Sequence, residues 1–412
     1  MLKYVKNELF IEEVSLLKLA KKYNTPLYVY SKEKIKSNFN LYKKGFENID
    51  SIICYAVKAN SNDSILKFLA SLGAGADIVS GGELYRVLKA GFPSQKIVYS
   101  GVGKTSEEIE FALKSNILMF NVESFEEVQQ INKIAQKLKT KARISFRVNP
   151  DVDPHTHKHI TTGKFGSKFG VMYEDAFAIY TKVAKMKNIE IIGIDSHIGS
   201  QLLDVAPYKL AAEKISKLID KLEENGINIK YIDIGGGLGI KYTTKDKPQS
   251  PSNLQKAVMS VYSKYKNKTI IVEPGRSIVG DAGILLGKVI YRKTTGYKHF
   301  IITNIAMNDL IRPALYDSYH NILPVKKTSK KKQVVDVVGP ICETGDYIAK
   351  DRFFPIIEHG EYIAIEAAGA YGMAMASQYN SRPRGAELLV EGSKITVIRK
   401  AETIKDLISK EI

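Results

Sequence analysis

The feature that most constrains the fold is an alternation of short β-rich runs with amphipathic helical segments between about residues 26 and 275. Segments 107–114 and 125–139 are typical of the helices, and Thr105 and Ser124 are suitable N-caps for them. The strand candidates are PLYVY, SIICYAV, ADIVS, KIVYSG, LMFNV, ARISFRV, EIIGIDSHIG, IKYIDIG and TIIVEPG. Strands that alternate with helices at this spacing predict parallel βα units.

Two folds satisfy this pattern, a doubly wound open sheet and a TIM-type (β/α)8 barrel. The barrel is favoured because polar residues and glycines follow many different strands, and barrel active sites are assembled at those C-terminal ends. These residues are Lys58, Ser80, Arg147, His197, Gly235, Gly236, Gly237 and Glu273. Since there is one more candidate strand than the ring needs, one candidate should lie outside it.

After about residue 276 the pattern of the sequence changes: short β-rich runs are separated by turn residues rather than by helices. This pattern predicts a second, mainly antiparallel β domain. We therefore assign residues 26–275 to an α/β barrel, and residues 1–25 together with 276–412 to the β-rich domain.

Bulk composition excludes some classes of function. The formal charge is +17, but the lysines are scattered and the dense run between Lys326 and Lys332 is typical of a solvated loop, so no nucleic-acid partner is expected. No apolar run has the length of a membrane helix, and the sequence MLKYVKNELF lacks a secretory h-region. With only two cysteines, the chain is expected to be cytoplasmic, without a membrane partner.

Two strand ends carry residues that could bind an aldehyde and a small phosphate. Lys58 follows an apolar strand in CYAVKAN, where its amine could attack an aldehyde, although a strand-end lysine more often simply reaches solvent. The run Gly235, Gly236, Gly237 and then Gly239 could cradle a phosphate with backbone amides, or form only a tight turn. Its spacing does not match the dinucleotide GxGxxG motif, so a small phosphate is favoured.

Three more residues suit a pyridine cofactor, and each has a structural alternative. Glu273 could keep a pyridine nitrogen protonated, and Arg276 could bind a phosphate or a carboxylate, but the two could equally form a local salt bridge. His197 could stack on a cofactor ring or be a hydrogen-bonded core histidine.

A thiol and a histidine cluster complete the candidates. Cys342 lies in the polar segment GPICETGD and is a candidate proton donor or nucleophile, whereas Cys54 in an apolar strand is expected to pack in the core. His155, His157 and His159 alternate along one segment, but no carboxylate or cysteine completes a ligand set, so no metal site is expected.

Together these motifs resemble those of the fold-type III pyridoxal-phosphate-dependent decarboxylases, most closely the members that act on diaminopimelate. In order along residues 25–385 they are YAVKAN, SGGEL, HIGSQ, GGGLG, EPGR, RPALYDSYH, CETGD and GAYG. Each motif alone is weak evidence for the family, but the whole set in this order is strong evidence. The loop HTHKHITTGKFGSKFG departs from the family pattern in its many histidines, while its GKFGSKFG part fits.

The resemblance implies a role for each site residue. Lys58 would carry pyridoxal phosphate as a Schiff base, His197 would stack on its ring, and Glu273 would pair with the ring nitrogen. The residues that would hold the phosphate are Ser200, Gly237, Gly275, Arg276 and Tyr371. Those that would bind the substrate are Arg276, Arg312, Tyr316, Glu343 and Tyr371. Cys342 would be the general acid that protonates the substrate carbon after CO2 leaves.

The implied reaction is the decarboxylation of meso-2,6-diaminopimelate to L-lysine and CO2, the last step of lysine biosynthesis. Arg312 suits the distal carboxylate, which an ornithine-type substrate lacks, and Glu343 suits the distal ammonium. In this family Cys342 and Glu343 reach the site from the partner subunit, which implies a homodimer with shared active sites at the junction of barrel and β domain. The alternatives are a related decarboxylase of carboxynorspermidine, ornithine or arginine, and a non-catalytic homologue that binds the cofactor.

Overall fold

The structure is a computed structural model that describes residues 1–152 and 168–412. Its strands are β1 Leu2–Val5, β2 Glu8–Ile11, β3 Val14–Ser15, β4 Leu27–Ser31, β5 Ser51–Ala56, β6 Gly75–Ile78, β7 Ile97–Tyr99, β8 Met119–Val122, β9 Ala142–Asn149, β10 Val171–Met172, β11 Ile189–Asp195, β12 Tyr231–Asp233, β13 Thr269–Val272, β14 Gly283–Thr295, β15 Lys298–Thr303, β16 Ile322–Pro324, β17 Lys332–Val338, β18 Tyr347–Pro355, β19 Tyr362–Ile365, β20 Ala386–Glu391 and β21 Lys394–Arg399. Its helices are α1 Leu16–Tyr23, α2 Lys32–Gly45, α3 Asp63–Ser71, α4 Gly81–Lys89, α5 Ser106–Lys114, α6 Phe125–Lys137, α7 Tyr173–Val183, α8 Ala206–Glu224, α9 Pro251–Tyr262, α10 Arg276–Val279 and α11 Arg312–Tyr316.

The chain divides into two compact units. The first, which we call the barrel unit, contains residues 39–240 and 247–277. The second, the β unit, contains residues 1–38, 241–246 and 278–412. None of the helices in the described ranges combines the length and the apolar character that a membrane span requires.

In the barrel unit, parallel strands close into the predicted TIM-type ring. Among the described residues the ring order is β5, β6, β7, β8, β9, β11, β12 and β13, and β13 returns to β5 with Ile270 opposite Ser51. The predicted N-caps are present, since Thr105 and Ser124 accept hydrogen bonds from backbone N–H groups at 3.3 and 3.1 Å. Cys54 is fully buried in an apolar cluster of this unit, as expected.

The strand PLYVY is the candidate that lies outside the ring. As β4 it pairs antiparallel with β14 and parallel with β20, so it belongs to the β unit, and the barrel unit begins at residue 39 rather than 26. All five residues of β4 are buried. A short apolar run buried on both faces fits the interior of either sheet, so the pattern of the run could not assign it to one of them.

The β unit is the predicted mainly antiparallel domain. Its central strand β14 is 13 residues long and pairs antiparallel with β4, β15 and β19. Strands β1 to β3 form a separate antiparallel sheet. Leu9, Ile11, Leu27 and Leu286 belong to one buried cluster of this unit, and each such side chain contributes about 1.5–3 kcal/mol through burial.

Candidate active site

Lys58 lies on a one-turn 3-10 helix, Val57–Ala59, directly after barrel strand β5. Its Nζ is 2.7 Å from Oδ2 of Asp77, which lies on the neighbouring strand β6. The Asp77 side chain is fully buried, whereas 37% of the lysine side chain is exposed. Because a buried carboxylate needs a charged or hydrogen-bonding partner, the pair holds the amine at the C-terminal end of the barrel.

Glu273 follows β13 and belongs to a network of buried polar side chains. Nδ2 of Asn121, on β8, lies 3.3 Å from Glu273 Oε1 and 3.2 Å from Asp233 Oδ2. Asp233, on β12, also accepts a hydrogen bond from the Gly235 backbone N–H at 2.9 Å. These bonds link the position of the Glu273 carboxyl group to that of the glycine turn.

Three carboxyl groups crowd this end of the barrel, since Asp195, Asp233 and Glu273 have oxygen atoms within 4.8 Å of one another. Burial raises the pKa of each of the three, and repulsion by the neighbouring carboxylates raises it further. The cluster therefore retains protons at pH values where an exposed carboxyl would be ionised. A cation placed beside Glu273, such as a pyridinium N–H, would stabilise the ionised form.

His197 follows β11 and is half-buried beside the glycine turn. The Gly236 backbone N–H donates to its Nδ1 at 3.1 Å, so the neutral ring carries its proton on Nε2. Desolvation, followed by the positive charges of Arg147 and Lys58, holds the pKa of His197 well below its ordinary value. An uncharged imidazole at this position suits stacking on an aromatic ring.

The glycine turn after β12 has the features of a phosphate site. Gly237 has φ +102°, and a Cβ added there would lie 2.2 Å from the carbonyl oxygen of Gly199, so no side chain fits. The next residue, Ser200, accepts a hydrogen bond from Nη2 of the buried Arg276 at 3.0 Å. An approachable backbone, a hydroxyl and a cation thus meet at one place, as phosphate binding requires.

Gly275 lies in the EPGR segment between the carboxylate and the arginine. A Cβ added at this position would be 3.0 Å from the Cβ atoms of both Ala56 and Ala59. The absence of a side chain therefore lets this segment lie against the one that carries Lys58.

In the β unit, Arg312 begins helix α11 and is buried. Its Nη1 lies 3.0 Å from the Tyr242 hydroxyl and 2.9 Å from His320 Nε2, and its Nη2 lies 3.3 Å from Ser318 Oγ. Tyr316 ends the same helix and is half-buried.

Cys342 and Glu343 lie on an exposed segment of the β unit. The Cys342 N–H donates to Asn380 Oδ1 at 3.4 Å, and Glu343 accepts a hydrogen bond from the Tyr379 hydroxyl. Asp346 is buried and holds the base of the segment by accepting backbone hydrogen bonds. The backbone of this segment is thus held in place while its thiol and carboxylate face solvent.

Tyr371 is half-buried in the GAYG segment and has φ +57°. This left-handed conformation is uncommon outside glycine, and residues held in it are enriched at functional sites.

The structure brings one group of predicted site residues together and leaves a second group in the other unit. Those at the C-terminal end of the barrel unit are Lys58, His197, Ser200, Gly237, Glu273, Gly275 and Arg276. Those in the β unit are Arg312, Tyr316, Cys342, Glu343 and Tyr371. The histidines His155, His157 and His159 lie outside the described residues. The lysines of the dense run are exposed, as predicted, but the run is not wholly a loop, because Lys332 begins strand β17. These lysines are Lys326, Lys327, Lys330, Lys331 and Lys332.

Sequence reasoning missed the polar residues that support the site. Asp77, Asn121, Asp195 and Asp233 sit on barrel strands whose other residues are mostly apolar. A polar residue within a strand buried on both faces is itself a signal, because it needs a partner in the interior. In the β unit, the roles of Tyr242 and His320 around Arg312 were not anticipated either.

Comparison with known proteins agrees with this geometry. Residues 32–280, more than half of the chain, match the pyridoxal-binding domain of the pyridoxal-dependent decarboxylases. The fold and the site therefore define a pyridoxal-dependent decarboxylase.

Individual relatives identify which of these decarboxylases the chain resembles. The chain is 55% identical over 401 residues to the diaminopimelate decarboxylase of Aquifex aeolicus, covering 97% of this chain and 95% of that protein. It is 46% identical to the diaminopimelate decarboxylase of Helicobacter pylori solved with L-lysine, with a TM-score of 0.92 and coverage of 96% and 98%. The enzyme from M. jannaschii in complex with L-lysine is 39% identical, with a TM-score of 0.95 and coverage of 100% and 97%. The chain belongs to the diaminopimelate decarboxylase family.

Proposed function

We propose that the chain catalyses the pyridoxal-phosphate-dependent decarboxylation of meso-2,6-diaminopimelate to L-lysine and CO2. The observation that carries the proposal is the Lys58–Asp77 pair at the barrel end, in the same unit as the buried Glu273 network and the Arg276–Ser200 turn. Two relatives solved with L-lysine, the product of this reaction, support the choice of substrate.

The residues of the barrel unit fit pyridoxal phosphate. Lys58 would hold the cofactor covalently through its aldehyde carbon, and the residues that would hold the phosphate are Ser200, Gly237, Gly275, Arg276 and Tyr371. When bound, the cofactor supplies an electron sink for the pair of electrons left by the departing CO2.

The surrounding side chains tune and orient this site. Glu273 would ionise beside the ring nitrogen, because a positive charge there lowers the pKa that burial has raised. Asn121 orients the Glu273 carboxylate by donating to it. His197, held neutral, would cover one face of the ring and exclude water from it.

Other residues would bind the unreacted end of the substrate and supply the proton. Those that would bind the distal ammonium and carboxylate are Arg276, Arg312, Tyr316, Glu343 and Tyr371. The bond between the α-carbon and its carboxylate breaks, CO2 leaves, and Cys342 Sγ delivers the proton that completes lysine. The contacts to the distal ammonium and carboxylate would lie away from the reacting carbon, so their role would be to position that carbon.

The proposal includes a homodimer in which Cys342 and Glu343 act in the partner's site. Their exposure supports this, because groups that act in another subunit's site must be accessible in the isolated chain. A cytoplasmic location also belongs to the proposal, and the free thiols of Cys54 and Cys342 suit a reducing compartment.

Incubation of the purified protein with pyridoxal phosphate and meso-diaminopimelate tests the reaction directly. We expect equimolar lysine and CO2, with ornithine, arginine and carboxynorspermidine turned over at least about 10²-fold more slowly because they lack the distal carboxylate or the matching spacing. Rapid turnover of one of those three without formation of lysine would overturn the substrate assignment.

Mixing two inactive variants, Lys58→Ala and Cys342→Ala, tests the shared site. In a dimer that exchanges subunits, random pairing should restore about a quarter of wild-type activity, because half the dimers then contain one intact site. No recovery after subunit exchange, itself checked by tagged copies, would show that each site is built from one chain.

A further inference from the structure

The guanidinium of Arg312 is held in a buried cluster of the β unit that the proposed reaction does not by itself explain. Arg312 is 5% exposed and His320 is fully buried. The Arg312 guanidinium lies over the Tyr242 ring at 5.1 Å, and that ring meets the His320 ring edge-on, with centroids 5.4 Å apart and planes at 80°. One aromatic ring thus packs on the cationic side chain, and the second packs against the first.

Hydrogen bonds in this cluster determine the tautomer of His320. An arginine can only donate, so His320 Nε2, 2.9 Å from Arg312 Nη1, must be an acceptor. A backbone carbonyl can only accept, so Nδ1, 2.9 Å from the Glu366 carbonyl oxygen, must carry the proton. The imidazole is therefore neutral and bridges the arginine to the main chain.

Both anchors of the cluster are themselves held. Glu366 directly follows β19, and its N–H donates to the Asn321 carbonyl at 2.9 Å, so the acceptor of the His320 proton is held by a main-chain hydrogen bond. On the other side, Asp246 accepts hydrogen bonds from the backbone N–H groups of Tyr242 and Thr243 at 2.9 and 2.8 Å. A flexible arginine side chain is in this way confined to one orientation, which lowers the entropy it would lose on binding a ligand.

We propose that His320, together with Tyr242, is a positioning residue that sets the Arg312 guanidinium for the carboxylate of the substrate that does not react. This inference rests on the proposed function, in which Arg312 binds that carboxylate. It assigns His320 to substrate specificity rather than to the reacting carbon. A histidine that only packed the core would affect stability and would not distinguish ligands by their carboxylate.

Two substitutions of similar polarity separate these roles. The amide of glutamine extends as far as Nε2 of histidine, so His320→Gln keeps an acceptor for Arg312. The amide of asparagine extends only as far as Nδ1, so His320→Asn keeps the donor to Glu366 and loses the bond to Arg312. Both variants are prepared as the holoenzyme, and their cofactor absorbance and melting temperature are measured first.

The readout compares L-lysine, which retains the unreacted carboxylate, with cadaverine, which lacks it. For His320→Asn, calorimetry should show an approximately 10-fold weaker affinity for L-lysine and a change of less than about 2-fold for cadaverine. The KM for diaminopimelate should rise by about 10-fold while kcat changes less than about 3-fold. His320→Gln should lie within about 3-fold of wild type in all of these values.

Equal losses for both ligands, or an unchanged L-lysine affinity in His320→Asn, would overturn the proposal. If that variant does not fold, Tyr242→Phe is tested instead, because it removes one acceptor of Arg312 and keeps the ring. It should weaken the affinity for L-lysine by about 3-fold and leave the affinity for cadaverine unchanged. Unchanged affinity for L-lysine, or an equal loss for both ligands, would overturn the proposal. Wild-type turnover of diaminopimelate is measured separately, so failure of the proposed function is seen in the unmodified protein and failure of this inference only in the variants.

Discussion

The two groups of candidate residues differ in how completely the chain builds them. At the barrel end, Asp77 and Glu273 are buried, and each has a side-chain partner: Lys58, just after β5, for Asp77, and Asn121, on β8, for Glu273. On the CETGD segment, Cys342 and Glu343 are exposed, although the backbone beneath them is held. The cofactor-binding half of the proposed site is therefore preorganised within one chain, whereas the proton-donating half presents its groups to solvent.

The largest effect is expected from the lysine of the barrel group. Lys58→Ala removes the amine that would hold the cofactor and leaves Asp77 buried without its cation, so activity should fall by more than about 10⁴-fold. The absorbance band of the lysine-bound cofactor should also be lost, as a spectrophotometric titration with pyridoxal phosphate would show. Persistence of that band in the variant would refute the assignment of Lys58.

A smaller loss of a different kind is expected from the exposed group. Cys342→Ala should lower kcat by about 10³-fold, since it removes the proposed proton donor, while the cofactor band and the melting temperature stay close to wild type. Cys54→Ala is the matched control, because that thiol is buried in the barrel core and its loss should reduce stability without changing kcat. Similar kcat values for Cys342→Ala and wild type would remove the thiol from the mechanism.

The same contrast explains how far sequence alone could reach. The barrel order and the placement of polar residues at strand ends follow from alternation and strand length, which are local signals. The Asn121 contacts with Asp233 and Glu273 join residues 112 and 152 positions apart. Such contacts depend on the register of a closed ring, which no local pattern encodes.

Two features of the β unit escaped prediction for related reasons. The segment 241–246 lies between barrel elements in sequence and yet belongs to the β unit, so the proximity of Tyr242 to Arg312 could not be read from order along the chain. His320 is eight positions after Arg312, but Asp317 ends helix α11 with φ +49°. That left-handed residue reverses the chain, and a helical spacing rule would have placed His320 elsewhere.

Within the barrel group, the carboxylate should matter less than the lysine. Glu273→Gln keeps the shape and the contact with Asn121 but removes the charge that would hold the ring nitrogen protonated, so kcat should fall by about 10²-fold. Cofactor affinity, measured by equilibrium dialysis, should change far less than kcat, because the phosphate contacts are intact. A parallel loss of both would indicate that Glu273 serves mainly to bind the cofactor.

The smallest expected effect concerns stability and contrasts a buried carboxyl with an exposed one. Because the folded pKa of Asp195 is raised, its contribution to stability is complete below the unfolded pKa of about 4 and is lost as pH rises through the folded value. In cofactor-free protein, Asp195→Asn should therefore raise the melting temperature at pH 8, by about 1 °C for each kcal/mol relieved in a chain of 412 residues, and should give a smaller gain at pH 5. Glu391→Gln is the control, because the hydrogen bond from Lys32 lowers the pKa of that exposed carboxyl, and it should give no gain in melting temperature at pH 8. Parallel melting curves for Asp195→Asn and wild type from pH 5 to pH 8 would mean that the buried cluster is not under electrostatic strain.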